Sequence, residues 1–301
     1  MPPGIDIVRQ ARQAGTVILA FNIPYLPMLQ PVAEAVIDQD AVAMIETARL
    51  EWIKFDAHSP GAIKKEFDRV NKPGYLWLHL DHIPVVDEDM LNVNYFYIIQ
   101  EAINIGYRSV MVDGSRLKLP DNIAATRRVV EIAHADNIAC EAELGAVLGH
   151  EAGPLPPYEE LFTSGLGFTD LEEARQFVGS TGCDWLSVAV GNIHGAVSGV
   201  LKDQKKVEAR LNLDRVEQLS QTVEIPLVLH GGSGIKQEYV KAAISKGIAK
   251  INIGTEIRQA YEAQLREKGN VSSAQKAVYD RTTWLIRDYY GLSGIRQVIH
   301  I

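Results

Sequence analysis

The chain has 301 residues, of which 47% are hydrophobic and 23% charged, a composition typical of a globular protein with a large core. Its net charge of −8 argues against nucleic-acid binding, because nucleic-acid phosphates are bound by dense lysine and arginine surfaces. No apolar run approaches the roughly 20 residues of a membrane span, and the first residues lack the regions of a signal peptide, so we expect a cytoplasmic protein that does not bind membranes.

Short apolar strands alternate with helical patterns along the chain. Strands are predicted at residues 17–22, 41–45, 75–80, 109–112, 139–143, 185–190, 226–229 and 249–251. Helices are predicted at residues 4–14, 26–39, 59–71, 88–105 and 121–136. Strands that alternate with helices imply parallel βαβ units, and eight such strands in under about 260 residues match a closed (β/α)8 barrel.

An open doubly wound sheet is the alternative architecture. Such a sheet normally carries Gly-x-Gly-x-x-Gly after its first strand, where this chain reads Asn22-Ile23-Pro24-Tyr25. We therefore predict an α/β fold in which residues 1–301 form a single (β/α)8 TIM barrel domain, with residues 258–301 as its C-terminal helical extension. Extra helices of this kind often cover the base of a barrel or contact another subunit, so we expect a homodimer or homotetramer.

One segment breaks the strand and helix pattern. Residues 144–168 are rich in glycine and proline and are far longer than the few residues that a βα loop needs. We expect this segment to be a lid or a mobile catalytic loop.

Polar residues stand where each predicted strand ends. They are Asn22, Glu46, Asp81 with His82, Asp113, Glu143, His194, His230 and Asn252. The C-terminal ends of the strands of a (β/α)8 barrel form one mouth, and barrel enzymes carry their catalytic groups there. We therefore expect these side chains to converge on one site.

Three of the strand-end residues are histidines. Three neutral imidazoles with an open fourth position make the ligand set of a catalytic zinc ion, so His82, His194 and His230 predict a zinc site. The alternative is that each histidine is only a polar residue at the end of a strand. His79 lies two residues inside the strand that ends at His82, where a core or supporting role is a better explanation than metal binding.

Glycine-rich sequences follow the last predicted strands. They read His194-Gly195, His230-Gly231-Gly232-Ser233-Gly234 and Asn252-Ile253-Gly254-Thr255. Loops at these positions of a barrel commonly hold phosphate through backbone N–H groups and hydroxyls, with glycine letting the backbone approach the oxygens. Tight turns alone would also explain the glycines, but three such ends on successive strands favour a phosphate site.

The strand-end motifs, taken together, are similar to those of one enzyme family. In chain order they are Phe21-Asn22, Met28-Leu29-Gln30, His79-Leu80-Asp81-His82, Asp113-Gly114-Ser115, Glu141-Ala142-Glu143-Leu144-Gly145, Gly191-Asn192-Ile193-His194-Gly195, Leu229-His230-Gly231-Gly232-Ser233-Gly234 and Asn252-Ile253-Gly254-Thr255-Glu256. They resemble the class II, metal-dependent ketose-bisphosphate aldolases, namely the fructose-bisphosphate and tagatose-bisphosphate aldolases. The resemblance spans about residues 5–260 in family order.

The resemblance implies a role for each matching residue. His82, His194 and His230 match the catalytic zinc ligands, and Glu143 and Asp113 match positions of alternative or second metal binding. Asp81 matches the acid/base at the C4 hydroxyl, Glu151 matches the loop glutamate that moves the proton at the enediolate carbon, and Asn252 matches a substrate-binding asparagine of the catalytic set. The predicted substrate and phosphate contacts are Asn22, Gly195, Gly231, Ser233, Asn252 and Thr255. Related enzymes also hold a monovalent cation, Na+ or K+, near the phosphate.

These residues predict a lyase of carbohydrate metabolism, of the kind that serves glycolysis. It would cleave a ketose phosphate, of the fructose or tagatose 1,6-bisphosphate type, to dihydroxyacetone phosphate and an aldehyde through a zinc-stabilised enediolate. One alternative is zinc-assisted hydrolysis with Glu151 activating a water, which fits the predicted phosphate anchor less well. Another is a barrel that binds sugar phosphate without catalysis, against which stand Asp81 and all three histidines.

The sequence departs from the family pattern mainly at the distal end of the substrate. Gly254 stands where fructose-bisphosphate aldolases typically carry aspartate, and tagatose-type relatives often have a small residue there. Residues 148–152 lack the second acid of the family's Gly-Gly-x-Glu-Asp loop, and residues 46–52 differ from the usual serine-containing loop. An aldolase acting on a different ketose or a sugar-acid phosphate is therefore an open alternative.

Overall fold

The computed structural model describes residues 5–145, 157–192 and 210–301. Eight parallel strands close into a barrel in which each strand lies next to its neighbours in sequence. The strands are β1 (Ile18–Asn22), β2 (Ala43–Ala48), β3 (Leu76–Pro84), β4 (Ser109–Asp113), β5 (Ala139–Leu144), β6 (Trp185–Val188), β7 (Leu227–Leu229) and β8 (Ile248–Ile253). Since β8 pairs with β1, with Ile18 opposite Lys250, the sheet has no open edge. The predicted (β/α)8 barrel is confirmed.

Helices surround the barrel and connect successive strands. They are α1 (Ile7–Gln13), α2 (Leu29–Asp38), α3 (Arg49–Lys54), α4 (Pro60–Val70), α5 (Tyr95–Asn104), α6 (Leu119–Ala135), α7 (Tyr158–Ser164), α8 (Leu171–Thr181), α9 (Leu213–Val223), α10 (Gln237–Ser245), α11 (Thr255–Lys268) and α12 (Val271–Trp284). Five of them, α3, α7, α8, α9 and α10, were not among the predicted ranges, and α3 has only six residues, so it shows no helical period. Helix α7 lies within the segment 144–168, so the expectation of one continuous loop there was wrong.

The N-terminal helix α1 packs against β8 and β1. Asp6 is the N-cap residue of α1, and its Oδ1 accepts hydrogen bonds from the backbone N–H groups of Val8 and Arg9 at 3.1 and 2.9 Å. The same oxygen accepts the indole N–H of the buried Trp185 in β6 at 2.9 Å. One carboxylate therefore caps the helix and ties it to the start of a barrel strand.

The C-terminal segment packs beside the barrel. Helix α11 follows β8 directly, so residue 258, where the C-terminal extension was predicted to begin, lies within α11. Helix α12 packs against α11 and α2. A π-helix at Leu285–Tyr290 and a 3-10 helix at Ile295–Gln297 complete the chain. In the described parts of the chain, no helix is both long and apolar enough to cross a membrane.

Strand β3 contains a bulge where its polar residues stand. Leu80 pairs with Val110 and Ile83 with Val112, so β3 uses three steps where β4 uses two. The extra residue lets Asp81 and His82 both serve the mouth, although consecutive residues of a regular strand point to opposite faces. His82 has a φ of 32°, an unusual backbone conformation for a residue with a Cβ. The prediction that β3 ends at residue 80 was wrong, because the strand continues through the bulge to Pro84.

Candidate active site

The C-terminal ends of the strands open into one cleft that gathers most of the predicted site. Its lining includes Asn22, Asp81, His82, Gly231, Ser233, Asn252 and Thr255. His230 is completely buried next to His82, and an adjoining recess is lined by His82, Asp113 and Glu143. Three predicted residues, Glu151, His194 and Gly195, lie outside the described residues.

Two amide groups hold the carboxylate of Asp81. Asn22 Nδ2 donates to its Oδ2 at 2.8 Å, and Asn252 Nδ2 donates to its Oδ1 at 3.0 Å. Burial would raise the pKa of Asp81, but the positive charges of His82, His230 and Lys250 outweigh burial and hold this pKa below its ordinary value. Asp81 is therefore an oriented carboxylate that can accept a proton.

His82 and His230 face one another across the cleft floor. His82 Nε2 lies 2.6 Å from His230 Nδ1. Each histidine presents its other ring nitrogen to a carboxylate: His82 Nδ1 is 3.1 Å from Asp113 Oδ2, and His230 Nε2 is 2.8 Å from Glu141 Oε1. Carboxylates that orient imidazoles in this way are usual around protein-bound zinc.

The donor chemistry of the histidine pair fits a metal ion. If each imidazole donates its N–H to its carboxylate, the two facing nitrogens carry lone pairs, which repel at 2.6 Å unless a proton lies between them. A zinc ion bound at about 2.0–2.1 Å from each nitrogen would hold the two nitrogens farther apart, at about 3.3 Å. Burial would lower the pKa of His82, but Asp81, Asp113 and Glu143 outweigh burial and raise this pKa well above its ordinary value. The acids thus create a strong preference for positive charge at this point, which a proton or a zinc ion can satisfy.

The predicted phosphate contacts lie on two adjacent loops. Gly231 and Ser233 follow β7, and Thr255 is the first residue of α11. Ser233 Oγ accepts a hydrogen bond from the backbone N–H of Glu256 at 3.4 Å, so the two loops touch. A Cβ at Gly232 would stand 2.4 Å from Ile251 Cγ2, which requires glycine here. The N-terminus of the 14-residue helix α11 faces the same cleft and favours a bound anion.

The sequence matches the family described as "Fructose-bisphosphate aldolase class-II" over residues 4–293. The chain belongs to this family. The fructose-bisphosphate aldolase of Streptococcus pyogenes serotype M1 is 33% identical over 276 residues, which cover 91% of this chain and 85% of that protein. The family recognised from the strand-end motifs is therefore confirmed, and the aldolase is a lyase that acts on sugar phosphates.

Solved structures agree with the family assignment. The YdjI aldolase from Escherichia coli K12 superposes with a TM-score of 0.73 at 28% identity, over 96% of each chain. A putative fructose-1,6-bisphosphate aldolase from Coccidioides immitis gives a TM-score of 0.77 at 25% identity, over 97% of each chain. Fructose-bisphosphate aldolase from Campylobacter jejuni, at 19% identity and a TM-score of 0.72 over 98% of each chain, shares the fold.

Glu143 and Asp113 are two carboxyl groups that lie next to the histidine pair of this aldolase. Glu143 Oε2 lies 3.5 Å from His230 Nδ1 and 3.9 Å from His82 Nδ1. Burial and the neighbouring charge of Asp113 raise the pKa of Glu143 to about 8. Burial would also raise the pKa of Asp113, but His82 and Ser115 hold it far below its ordinary value. The geometry is compatible with the predicted alternative metal position, since a cation would ionise Glu143.

A buried charge network lies beneath the aldolase site, and it was not among the features predicted from the sequence. Lys250 Nζ is 2.9 Å from Glu141 Oε2, 2.8 Å from Asn252 Oδ1 and 3.2 Å from Glu46 Oε2. His79 also belongs to this layer, with Nδ1 2.9 Å from Ser109 Oγ, which agrees with its predicted supporting role. Potential metal ligands of Glu46, His79 and Asp81 lie within 4.8 Å of one another. The ammonium of Lys250 already supplies the positive charge there, so we assign no metal to this group.

The wall of the cleft at α3 combines apolar side chains with buried charged ones. Leu50, Glu51 and Phe55 line the cleft together with Arg258 of α11. Glu51 Oε2 accepts the backbone N–H of Ala48 at 2.9 Å, which fixes the start of α3. Arg258 Nη1 forms an ion pair with Glu262 Oε2 at 2.9 Å and is almost completely buried. Residues 46–52, which differ from the family pattern, form the end of β2 and the first turn of α3.

Proposed function

We propose that this aldolase is zinc-dependent and reversibly cleaves a ketose 1,6-bisphosphate between C3 and C4, giving dihydroxyacetone phosphate and an aldehyde. The observation that carries the proposal is the position of Asp81. Its carboxylate is held by two amides and stands next to the facing nitrogens of His82 and His230. A proton acceptor and a cation-binding group are then available to the same substrate, as aldol cleavage requires.

Zinc would be held by His82, His230 and the predicted third ligand His194, and would supply Lewis-acid stabilisation of negative charge on the substrate oxygens. Asp81 takes the proton from the C4 hydroxyl as the bond between C3 and C4 breaks. Asn22 and Asn252 keep the carboxylate aimed while it changes charge. Glu151 as the group that returns a proton to the enediolate carbon stays a prediction, as do Na+ or K+ binding, the homo-oligomer and the cytoplasmic location.

The phosphate of the dihydroxyacetone half is proposed to bind at the β7 and β8 loops. Gly231, Ser233 and Thr255 offer hydroxyls and backbone N–H groups there, and the positive end of the α11 dipole adds to them. Gly195 is expected to complete this anchor. The reacting carbons would then lie over Asp81, because the phosphate loops and Asp81 line the same cleft.

A second candidate is an aldolase of the same family that acts on a different ketose or sugar-acid phosphate. Two observations support it: Gly254 provides no carboxylate, and the α3 wall is largely apolar through Leu50 and Phe55. Arg258 is a cation on the same wall, which is consistent with a distal phosphate or carboxylate. The two candidates share the chemistry at Asp81 and differ only in the aldehyde that is released.

One coupled assay for triose phosphate separates the candidates. Purified protein with zinc is offered fructose 1,6-bisphosphate, tagatose 1,6-bisphosphate and singly phosphorylated ketoses at equal concentration. Cleavage of a bisphosphate with the highest kcat/KM supports the first candidate, and preference for another ketose supports the second. If no ketose phosphate is cleaved and the zinc is bound, the proposed reaction is wrong.

The role of Asp81 is tested with Asp81→Asn. We expect this variant to keep zinc and to lose turnover by roughly 100-fold or more, because an amide cannot accept the hydroxyl proton. The matched control is Asp136→Asn, an exposed aspartate at the end of α6, which should cleave at the parent rate. Parent-like turnover by Asp81→Asn would show that another group takes the proton.

A further inference from the structure

We infer that Lys250 is a positioning residue for the aldol reaction, which orients Asn252 toward Asp81 and Glu141 toward His230. This inference rests on the proposed function. Lys250 lies on β8 with no solvent exposure, two residues before Asn252. Its ammonium does not line the cleft, so it acts through its neighbours and does not touch the substrate.

The first link fixes the amide of Asn252. An ammonium group has only donors, so the atom of Asn252 that lies 2.8 Å from Lys250 Nζ is the amide oxygen. The amide nitrogen is thereby turned toward Asp81 Oδ1, at 3.0 Å. A flipped amide would place two oxygens against each other at Asp81 and two sets of donors against each other at Lys250. Lys250 and the carboxylate of Asp81 therefore select the same orientation of the amide, and the ammonium holds Asn252 in it.

The second link fixes His230. Lys250 Nζ donates to Glu141 Oε2 at 2.9 Å, and the other oxygen of Glu141 lies 2.8 Å from His230 Nε2. All three side chains have no solvent exposure, so water does not compete for these contacts. Holding Glu141 holds the ring of His230 with Nδ1 toward His82. One ammonium thus controls both the proton acceptor and a predicted zinc ligand.

Charge balance is the competing explanation for a lysine in the barrel interior. Lys250 also forms an ion pair with Glu46 Oε2 at 3.2 Å, without the alignment of a hydrogen bond. A lysine that only neutralises Glu46 and Glu141 would be needed for folding and not for orientation. The two explanations differ in what happens when the lysine and one acid are removed together.

The test compares Lys250→Met with the compensated variant Lys250→Met/Glu46→Gln. The double change removes Lys250 together with Glu46, the acid that orients no site residue, so Glu46 is not left without its cation while Asn252 and Glu141 lose their ammonium partner. We expect the double variant to regain thermal stability but to keep a kcat that is roughly 10- to 100-fold below the parent, with KM little changed. Its zinc should also be lost to a chelator more readily than that of the parent. Lys246→Met, at an exposed ion pair with Glu217, is the matched control and should match the parent in both measurements.

The coupling to Asn252 gives a second measurement. In an Asn252→Ala background, Lys250→Met/Glu46→Gln should cost less in kcat than it costs in the parent, because one of its two targets is already absent. Recovery of kcat together with stability in the double variant would overturn the inference in favour of charge balance. Failure of the compensated variant to fold would also overturn it, since Lys250 would then be a structural residue. A parent that binds zinc but cleaves no ketose phosphate refutes the proposed function instead, and zinc retention still tests the link through Glu141.

Discussion

Removing the amide of Asn22 is expected to slow cleavage without affecting zinc binding. Asn22 donates to Asp81 at 2.8 Å, so Asn22→Ala deletes one hydrogen bond to a carboxylate. Hydrogen bonds to charged groups contribute about 1.5–3 kcal/mol, which corresponds to roughly 10- to 100-fold in rate when the bond orients the reacting group. The loss should appear in kcat and kcat/KM together, because Asp81 acts on the substrate in the transition state.

The two amides at Asp81 allow a double-mutant cycle. Asn252→Ala removes the second hydrogen bond to the same carboxylate, at 3.0 Å. Since either loss already frees the carboxylate, the double variant should lose less activity than the product of the two single losses. Asn104→Ala, at an exposed residue at the end of α5, is the control.

The cycle is measured with the coupled triose phosphate assay on zinc-loaded protein. Zinc content and thermal stability of each variant are recorded so that losses in kcat/KM refer to folded, metal-bound enzyme. An Asn22→Ala variant with parent kcat, or two losses that combine independently, would contradict the arrangement of one carboxylate held by two amides.

Three further predictions follow from the same geometry. Chelation should abolish cleavage and added zinc should restore it, and activity that survives complete metal removal would contradict the zinc assignment. Gly254→Ala should reduce kcat/KM, because its new Cβ would stand 3.2 Å from Asn22 Cβ and shift the amide. The reduction should be smaller than that of Asn22→Ala, because the amide is displaced and not removed. A kcat/KM equal to that of the parent would contradict this prediction. Trp185→Ala should lower the free energy of unfolding by about 3–5 kcal/mol, since the side chain is completely buried and its indole N–H is bonded to Asp6. Trp284→Ala, at a residue that is 36% exposed, should lower it by less than Trp185→Ala in the same denaturant titration.

The barrel and the members of its mouth were predictable from the sequence because each strand is a short apolar run that ends in a polar residue. Parallel closure alone then brings residues as distant as Asn22 and Asn252 to the same carboxylate. The closed topology converts a list of strand ends into a site, which is why Asp81 and His82 could be placed before any distance was known. The family motifs added roles to these positions and did not change which residues they were.

The local geometry of the site was not predictable in the same way. The bulge in β3 depends on a register shift against β4, and nothing in the sequence near His82 shows that one extra residue is accommodated there. Helix α3 has only six residues, so it shows no period, and its start is fixed by the side chain of Glu51 reaching the backbone of Ala48. Features of this kind arise from pairing between segments, and one segment read alone does not contain them.

The buried network did leave a signal in the sequence, in the residues two positions before the strand ends. Lys250, Glu141 and His79 precede Asn252, Glu143 and Asp81 by two, and alternation along a strand places each pair on the same face. A charged residue inside an apolar strand is costly to bury unless it has partners, so its presence indicates a partner in the same layer of the barrel interior. Lys250 and Glu141 satisfy that requirement for one another at 2.9 Å. The layer beneath the mouth therefore contributes to the site, since the charges that are buried there determine which way the side chains above them point.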